Sequence, residues 1–78
     1  MQAFSRITFD PDVMGGRPCV RGLPITVKLL LTMVADGMSV QEITELYPCV
    51  EPHDIGQALR YAQWLTEENV GHVELARA

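Results

Sequence analysis

Residues 15–27 read GGRPCVRGLPITV, a stretch in which glycines and prolines surround a short apolar centre. Glycine gives the backbone freedom to turn, and proline cannot donate a hydrogen bond to a sheet, so the stretch predicts a small turn-and-strand element. Two arginines, Arg17 and Arg21, lie on this element. A run of helices with sharp stops follows it. Together these features favour a recognition module over a catalyst.

The residues before this stretch are predicted to form its partner strand. Residues 6–9 alternate polar and apolar side chains, and Asp10-Pro11-Asp12 then stops the strand with a turn. Residues 19–21 form a plausible second strand. Residues 1–25 are therefore expected to be an extended β and turn segment whose open edge invites pairing with a second chain.

Three helices are predicted after this segment. The first spans about 26–36, with Thr26 as its cap and Gly37 past its end. The second begins with a capping box, Ser39 to Glu42, and is ended by Pro48, and the third begins near Pro52. The predicted core positions of the third helix are Ile55, Ala58, Leu59, Ala62 and Leu65.

The whole chain is predicted to be one small domain, residues 1–78. We expect a mainly α fold: a three- to four-helix bundle with a helix-turn-helix-like core over 26–70, an extended segment at 1–25 and a tail at 71–78. Hydrophobic residues make up 47% of the 78 residues. Since a chain this short has a marginal core of its own, the apolar surplus predicts a homodimer, a higher homo-oligomer or a partner-bound state. A monomer with a rich core is the alternative.

Charge is divided unevenly along the chain. The net charge is −4, yet four of the six basic residues lie within residues 1–30 and eight of the ten acidic residues follow them. An acidic chain is a poor free-standing nucleic-acid binder, although the basic front third is able to touch phosphates. The acidic remainder is equally suited to a basic protein partner.

Several classes of function find little support in the sequence. Cys19 and Cys49 lack any zinc-binding spacing and are expected to pack as small hydrophobes, so we predict no metal and no cofactor. No nucleophile and base stand at a convincing spacing, and Asp10 and Asp12 suit a turn better than acid–base work, so we do not expect an enzyme. The first residues lack a signal-peptide core, and the longest apolar run, residues 29–31, is far below the ~20 residues of a membrane span. A cytoplasmic protein without a membrane partner is expected.

The second and third predicted helices have the outline of a helix-turn-helix. In a DNA-binding version, His53, Gln57 and Arg60 would reach the bases. Glu51 and Asp54 would repel phosphates at the same end, and any helical hairpin shares this outline, so a purely structural role stays open. Trp64, four residues after Arg60, has the composition of an interface hot spot, or else it covers the tail or the first strand.

Short ordered motifs over residues 5–62 resemble the bacterial and archaeal family known as domain of unknown function 433. These motifs are Arg6-Ile7-Thr8, Asp10-Pro11, Gly16-Arg17-Pro18, Val20-Arg21-Gly22, Ile25-Thr26-Val27, Gly37-Met38-Ser39, Glu42-Ile43, Tyr47-Pro48 and Asp54-Ile55. The family usually has an arginine at the position of Pro24. The absence of that arginine here weakens any contact with a phosphate or a partner protein that would be assigned to this position. The resemblance implies a small helical protein with a helix-turn-helix-like bundle behind an extended segment.

Many members of this family resemble VapB-like antitoxins of type II toxin–antitoxin pairs, whose toxin has a PIN-like nuclease fold. The resemblance therefore implies a protein that holds such a toxin inactive and binds the promoter of the pair. On this hypothesis Arg17, Arg21 and Trp64 contact the partner, with the arginines competing for the carboxylates that hold the nuclease metal ions. The alternatives are a stand-alone DNA-binding regulator that uses His53, Gln57 and Arg60 and, third, a small enzyme or enzyme subunit.

Overall fold

Besides a short 3-10 turn at Met14–Gly16, five regular elements make up the described part of the chain, residues 4–67 of a computed structural model. They are β1 (Ile7–Thr8), β2 (Cys19–Val20), α1 (Val27–Ala35), α2 (Val40–Leu46) and α3 (Pro52–Glu67). The predicted mainly helical fold behind a short extended segment is confirmed. The described residues contain three helices, whereas the predicted tail 71–78 and the continuation of the bundle to residue 70 lie outside them.

The front segment, which is the part of residues 1–25 that the structure describes, is folded around β2. Strands β1 and β2 are antiparallel, with Ile7 opposite Val20. On its other side Val20 donates its N–H to the Ile25 carbonyl at 3.0 Å. A turn closes between these contacts, because Leu23 donates to the Val20 carbonyl at 2.7 Å. Arg21 and Gly22, at its centre, have φ angles of 47° and 73°. Positive φ at both central positions is the signature of a type I′ turn, which suits the twist of paired strands.

The helix ends follow the predicted capping chemistry. The Thr26 hydroxyl accepts the Leu29 N–H at 3.0 Å and so begins α1. Gly37, just past its end, has a φ of 90°, which glycine adopts without the steric cost of a Cβ. The capping box of α2 is complete: Ser39 accepts from the Glu42 N–H at 3.1 Å, and Glu42 accepts from the Ser39 N–H at 2.8 Å.

The core lies where α1, α2 and α3 meet the front segment. Leu30, Ile43 and Val20 are fully buried at its centre. The rest of this buried cluster is Phe4, Ile7, Ile25, Val27, Met33, Val50, Ile55, Ala58 and Tyr61. The front segment is therefore part of the core and not an appendage to it.

Some predicted core positions are wrong. Leu59 and Leu65 are 43% and 52% exposed, because α3 packs through the stripe that contains Ile55, Ala58 and Tyr61. Cys49 is exposed at the turn before α3, unlike the buried Cys19, so only Cys19 packs as a small hydrophobe.

Candidate functional site

A cluster of four charged side chains joins the front segment to the start of α3. Asp54, fully buried, lies at its centre. The Arg21 guanidinium donates to both Asp54 oxygens, with Nη2 3.0 Å from Oδ2 and Nε 3.1 Å from Oδ1. Arg6 Nη1 donates to Asp54 Oδ1 at 2.9 Å and to Glu51 Oε1 at 2.6 Å. Two cations thus balance two carboxylates.

Backbone groups complete this charge cluster. Asp54 also accepts the Glu51 backbone N–H at 2.8 Å, which satisfies a donor at the N-terminus of α3. Arg21 Nη2 donates to the Cys49 carbonyl at 2.6 Å, and the Arg6 N–H donates to Gln57 Oε1 at 2.8 Å. These bonds hold Arg6 and Arg21 against α3 and the turn that precedes it.

The charge cluster shifts the acidity of its carboxyl groups. Burial alone raises the pKa of Asp54, but hydrogen bonds from Arg21, from the Glu51 N–H and from Arg6 outweigh burial, and the net result is a lowered pKa. The pKa of Glu51 is also lowered, chiefly by its hydrogen bond with Arg6 and then by the charge of Arg21. Both groups are therefore ionised at neutral pH.

Two of these roles were not part of the sequence prediction. Arg21 is expected to contact a partner, and the structure pairs it with Asp54 while 34% of its side chain stays exposed. Glu51 and Asp54 were expected to repel phosphates, whereas both carboxylates are neutralised by arginines of the front segment. The available signal was the charge division itself, because a basic front third and an acidic remainder attract each other.

An open apolar groove lies between the front segment, α1 and the second half of α3. Its volume is about 370 Å³. Its described lining is Arg17, Pro18, Thr26, Val27, Lys28, Leu31, Tyr61, Ala62 and Leu65. Arg17 and Lys28, both exposed, are the charged residues of this lining, and no acidic residue is part of it. The groove thus combines an apolar floor with a basic rim.

Aromatic side chains continue this apolar surface around α3. The Tyr61 ring lies 6.1 Å from that of Phe9 and 6.3 Å from that of Trp64. Phe4 lies beneath them, 5.5 Å from Tyr61 and 5.9 Å from Trp64. Trp64 therefore contacts Phe4, which precedes β1, while 47% of its surface stays exposed.

The three residues considered for DNA contact follow one another along α3. His53 and Arg60 are exposed, and Gln57 is half-buried with its side-chain oxygen bonded to the Arg6 N–H. Positions i, i+4 and i+7 share one face of a helix, so the spacing is compatible with a common surface. Within residues 4–67, no three His, Cys, Asp or Glu side chains form a metal-binding group. No helix in that range is both long enough and apolar enough to cross a membrane.

Comparison with known proteins places the chain in a family. A curated relative, "Uncharacterized protein y4eO" from Sinorhizobium fredii (strain NBRC 101917 / NGR234), is 37% identical over 57 residues. The match covers 73% of this chain and 26% of the relative, so the chain spans about a quarter of that protein's length. No solved structure matches the chain. The family model described as "Protein of unknown function (DUF433)" matches residues 7–62, and the chain therefore belongs to the DUF433 family.

Proposed function

We propose that this protein is an antitoxin-like binding protein of a type II toxin–antitoxin pair that holds a PIN-like nuclease inactive. The observation that supports a binding role is the apolar surface around Tyr61. This side chain lines the groove and contacts the half-exposed rings of Phe9 and Trp64. Contiguous exposed apolar surface, unlike scattered single residues, is typical of protein–protein contact sites. The nuclease as partner comes from the family resemblance.

In this proposal Arg17 and Arg21 have different tasks. Arg17 is exposed at the rim of the groove and forms no ion pair within residues 4–67, so its guanidinium is available to the carboxylates of a nuclease metal site. Arg21 would have to give up Asp54 to make the same contact. We therefore assign the direct contact to Arg17 and Trp64, and Arg21 serves mainly to position the segment that carries Arg17.

Co-expression tests this function. The reading frame beside the gene is identified and, if it encodes a PIN-like nuclease, is induced with and without this protein while growth is measured. We expect growth to stop without the protein and to recover with it. Arg17→Ala combined with Trp64→Ala should lose this protection, and Gln41→Ala, an exposed change on α2, should keep it. A harmless neighbour, or protection that survives the double variant, would contradict the proposal.

A DNA-binding role is the second candidate, either alone or together with the toxin at the promoter. It is favoured by one observation: Glu51 and Asp54 are paired with Arg6 and Arg21, so their repulsion of phosphates is reduced. A helix-turn-helix arrangement would then have α3 present His53, Gln57 and Arg60 to the bases. Binding to the upstream DNA should weaken steeply with salt. It should also weaken in the Arg60→Ala variant, and unmeasurable binding at low salt would exclude this role for the isolated protein.

We further propose that the protein forms a homodimer. Val40 and Leu46 on α2 are 45% and 58% exposed, which leaves apolar surface outside the groove. Light scattering after gel filtration should give a dimer mass at micromolar concentration, and Leu46→Glu should shift it toward the monomer. A monomer mass over the whole concentration range would exclude the dimer.

A further inference from the structure

The geometry points to one kind of occupant for the groove between α1 and α3: an acidic, amphipathic segment of a partner protein. We infer that apolar side chains of this segment lie on the groove floor while its carboxylates pair with Arg17 and Lys28 at the rim. The inference rests on the proposed function for the class of partner, and it adds where that partner docks and by what chemistry.

The composition of the groove favours a peptide segment over a small metabolite. Small-molecule pockets combine an apolar wall with a few polar groups that converge inside the pocket. Here the floor is formed by side chains such as Val27, Leu31 and Ala62. The Thr26 hydroxyl is already engaged in capping α1, where it accepts the Leu29 N–H. Apart from the Tyr61 hydroxyl, the remaining polar side-chain groups of the lining are two exposed cations at the rim, which suit a ligand with an apolar face and an acidic edge.

No described residue of the protein cancels the charge of the rim. Of the four basic residues in the first thirty, Arg6 and Arg21 are paired with Glu51 and Asp54. Arg17 and Lys28 form no salt bridge to any residue within 4–67. An otherwise acidic chain thus has two cations beside its apolar groove that no described carboxylate pairs with. Complementary charge of this kind directs both the encounter and the choice of partner.

The backbone before Arg17 is built to hold that side chain at the rim. Met14, Gly15 and Gly16 have φ angles of 51°, 66° and 84°. Their turn is closed by hydrogen bonds, from Gly16 N–H to the Val13 carbonyl at 3.1 Å and from Arg17 N–H to the Met14 carbonyl at 3.3 Å. A cation on a preformed turn loses less conformational freedom on binding than one on an open loop.

A second copy of this chain fits the groove less well than a different protein. Its α2 exposes the apolar side chains Val40 and Leu46 but only one acidic side chain outside the capping box, Glu45, because Glu42 is hydrogen-bonded to Ser39. Moreover, a contact between α2 of one copy and the groove of another is heterologous, and such contacts make open chains unless the rotation closes. We therefore commit to a partner of different sequence.

The test uses two synthetic helical peptides and the full chain labelled with ¹⁵N. One peptide has leucines at every third or fourth position flanked by glutamates, and the other has lysines in place of the glutamates. We expect the acidic peptide to shift the amide signals of groove residues such as Leu31 and Ala62, and to bind at least about tenfold more tightly than the basic one. Arg17→Ala with Lys28→Ala should remove this preference, and the matched pair Arg17→Lys with Lys28→Arg should keep it.

Four results would overturn the inference. The first is equal affinity for the two peptides, and the second is an absence of shifts at the groove. The third is a dependence of the groove signals on protein concentration without peptide, which would identify a second copy as the occupant. The fourth is a set of nuclear Overhauser contacts between the groove and residues 68–78 of the same chain. If the peptide result fails while the protein still protects cells from the nuclease, only the groove assignment falls. If the peptide binds but no protection occurs, only the nuclease partner falls.

Discussion

At the residue scale, the buried carboxylate of Asp54 is the point on which the front segment and α3 depend together. Arginines from sequence positions 33 and 48 residues away converge on it. A buried carboxylate is stable only when its charge is compensated, and breaking such a pair costs far more than the pair contributes relative to apolar side chains. The same contacts keep the two arginines from adopting other conformations. The negative charge of Asp54 thus holds in place the front segment, which also carries Arg17.

Asp54→Asn should destabilise the protein by about 3 kcal/mol, because it leaves two arginines facing an uncharged amide in a buried site. Urea unfolding at pH 7, followed by circular dichroism, measures the change. Asp36→Asn is the matched control, since the Asp36 side chain is exposed and has no hydrogen bond within the described residues. A loss no larger in Asp54→Asn than in this control would show that the cluster contributes little to stability.

Acid should weaken the wild-type fold through the same residues. The pKa values of Asp54 and Glu51 are lower in the folded state than their ordinary values near ~4, so the folded state binds fewer protons. Their stabilisation is present above the ordinary pKa and is lost as the pH falls through the lowered one. The free energy of unfolding should therefore decrease as the pH is lowered below ~5.

Asp54→Asn provides the comparison for this pH dependence. Glu42, whose pKa is lowered by the Ser39 backbone N–H, contributes in the same direction and remains in the variant. The variant should thus keep a smaller dependence, and the two proteins should approach each other in stability at low pH. Parallel curves for the two proteins would mean that Asp54 is not the group responsible.

The residue scale is also where the sequence was least informative. It identifies Arg21 as a notable residue but says nothing of its pairing with Asp54, because the two lie far apart in the chain and meet only when the turn after β2 comes against the start of α3. Arg6 had no predicted role for the same reason. Local patterns report on neighbours within a few residues, whereas an ion pair between distant residues depends on the finished packing.

At the element scale, two glycines differ in whether the backbone conformation requires glycine: it does at Gly22 and does not at Gly56. Gly22 has a φ of 73° in the turn after β2, a conformation that costs an L residue roughly 1–2 kcal/mol. Gly56 lies inside α3, and a Cβ added there would meet no described atom within 4 Å outside the nearby helix backbone. Close packing against another element therefore does not explain the glycine.

These positions predict opposite responses to the same substitution. Gly56→Ala should stabilise the protein by about 1 kcal/mol, because alanine favours the helix interior and meets open space. Gly22→Ala should destabilise it by a similar amount, because an added Cβ is strained at that φ. Thermal and urea unfolding of both variants show whether each substitution raises or lowers the free energy of unfolding. Destabilisation by Gly56→Ala would indicate that this face of α3 is covered by something outside residues 4–67.

The elements themselves were largely predictable. Local sequence predicts where each helix begins: the caps at Thr26 and Ser39 and the start of α3 at Pro52 depend on residues within one helical turn. The structure confirms each of these starts. The inward face of α3 was not predictable in full, because apolar residues occupy more of the helix than its neighbours cover. Leu59 and Leu65 fit the helical period but lie beside the packed stripe, and periodicity alone does not tell a core leucine from a surface one.

At the scale of the whole molecule, a small core and an excess of apolar surface coexist. The buried cluster contains side chains from both strands and all three α-helices, and the front segment supplies part of it. A domain of this size has little stability to lose, since small domains lie near the lower end of roughly 5–15 kcal/mol. The exposed apolar residues therefore add little to folding of the single chain and are available for binding.

Two leucine substitutions separate these roles. Leu30→Ala removes a fully buried side chain at the centre of the core and should cost about 3 kcal/mol, which leaves little net stability. Leu46→Ala removes a side chain that is 58% exposed and should change the stability of a dilute monomer by no more than ~0.5 kcal/mol.

Protein concentration then makes the comparison informative about assembly. If α2 forms the proposed homodimer, the cost of Leu46→Ala should rise with concentration, because association stabilises only the folded chain. The cost of Leu30→Ala should change less, since that side chain is buried within one chain. Urea unfolding of both variants at 1 µM and at 100 µM, or about a hundredfold range in concentration, measures the difference. If the loss of unfolding free energy in Leu46→Ala is small and constant over this range, then either the dimer contact does not involve Leu46 or no dimer forms. The exposed apolar surface of α2 would then be left for a partner of different sequence.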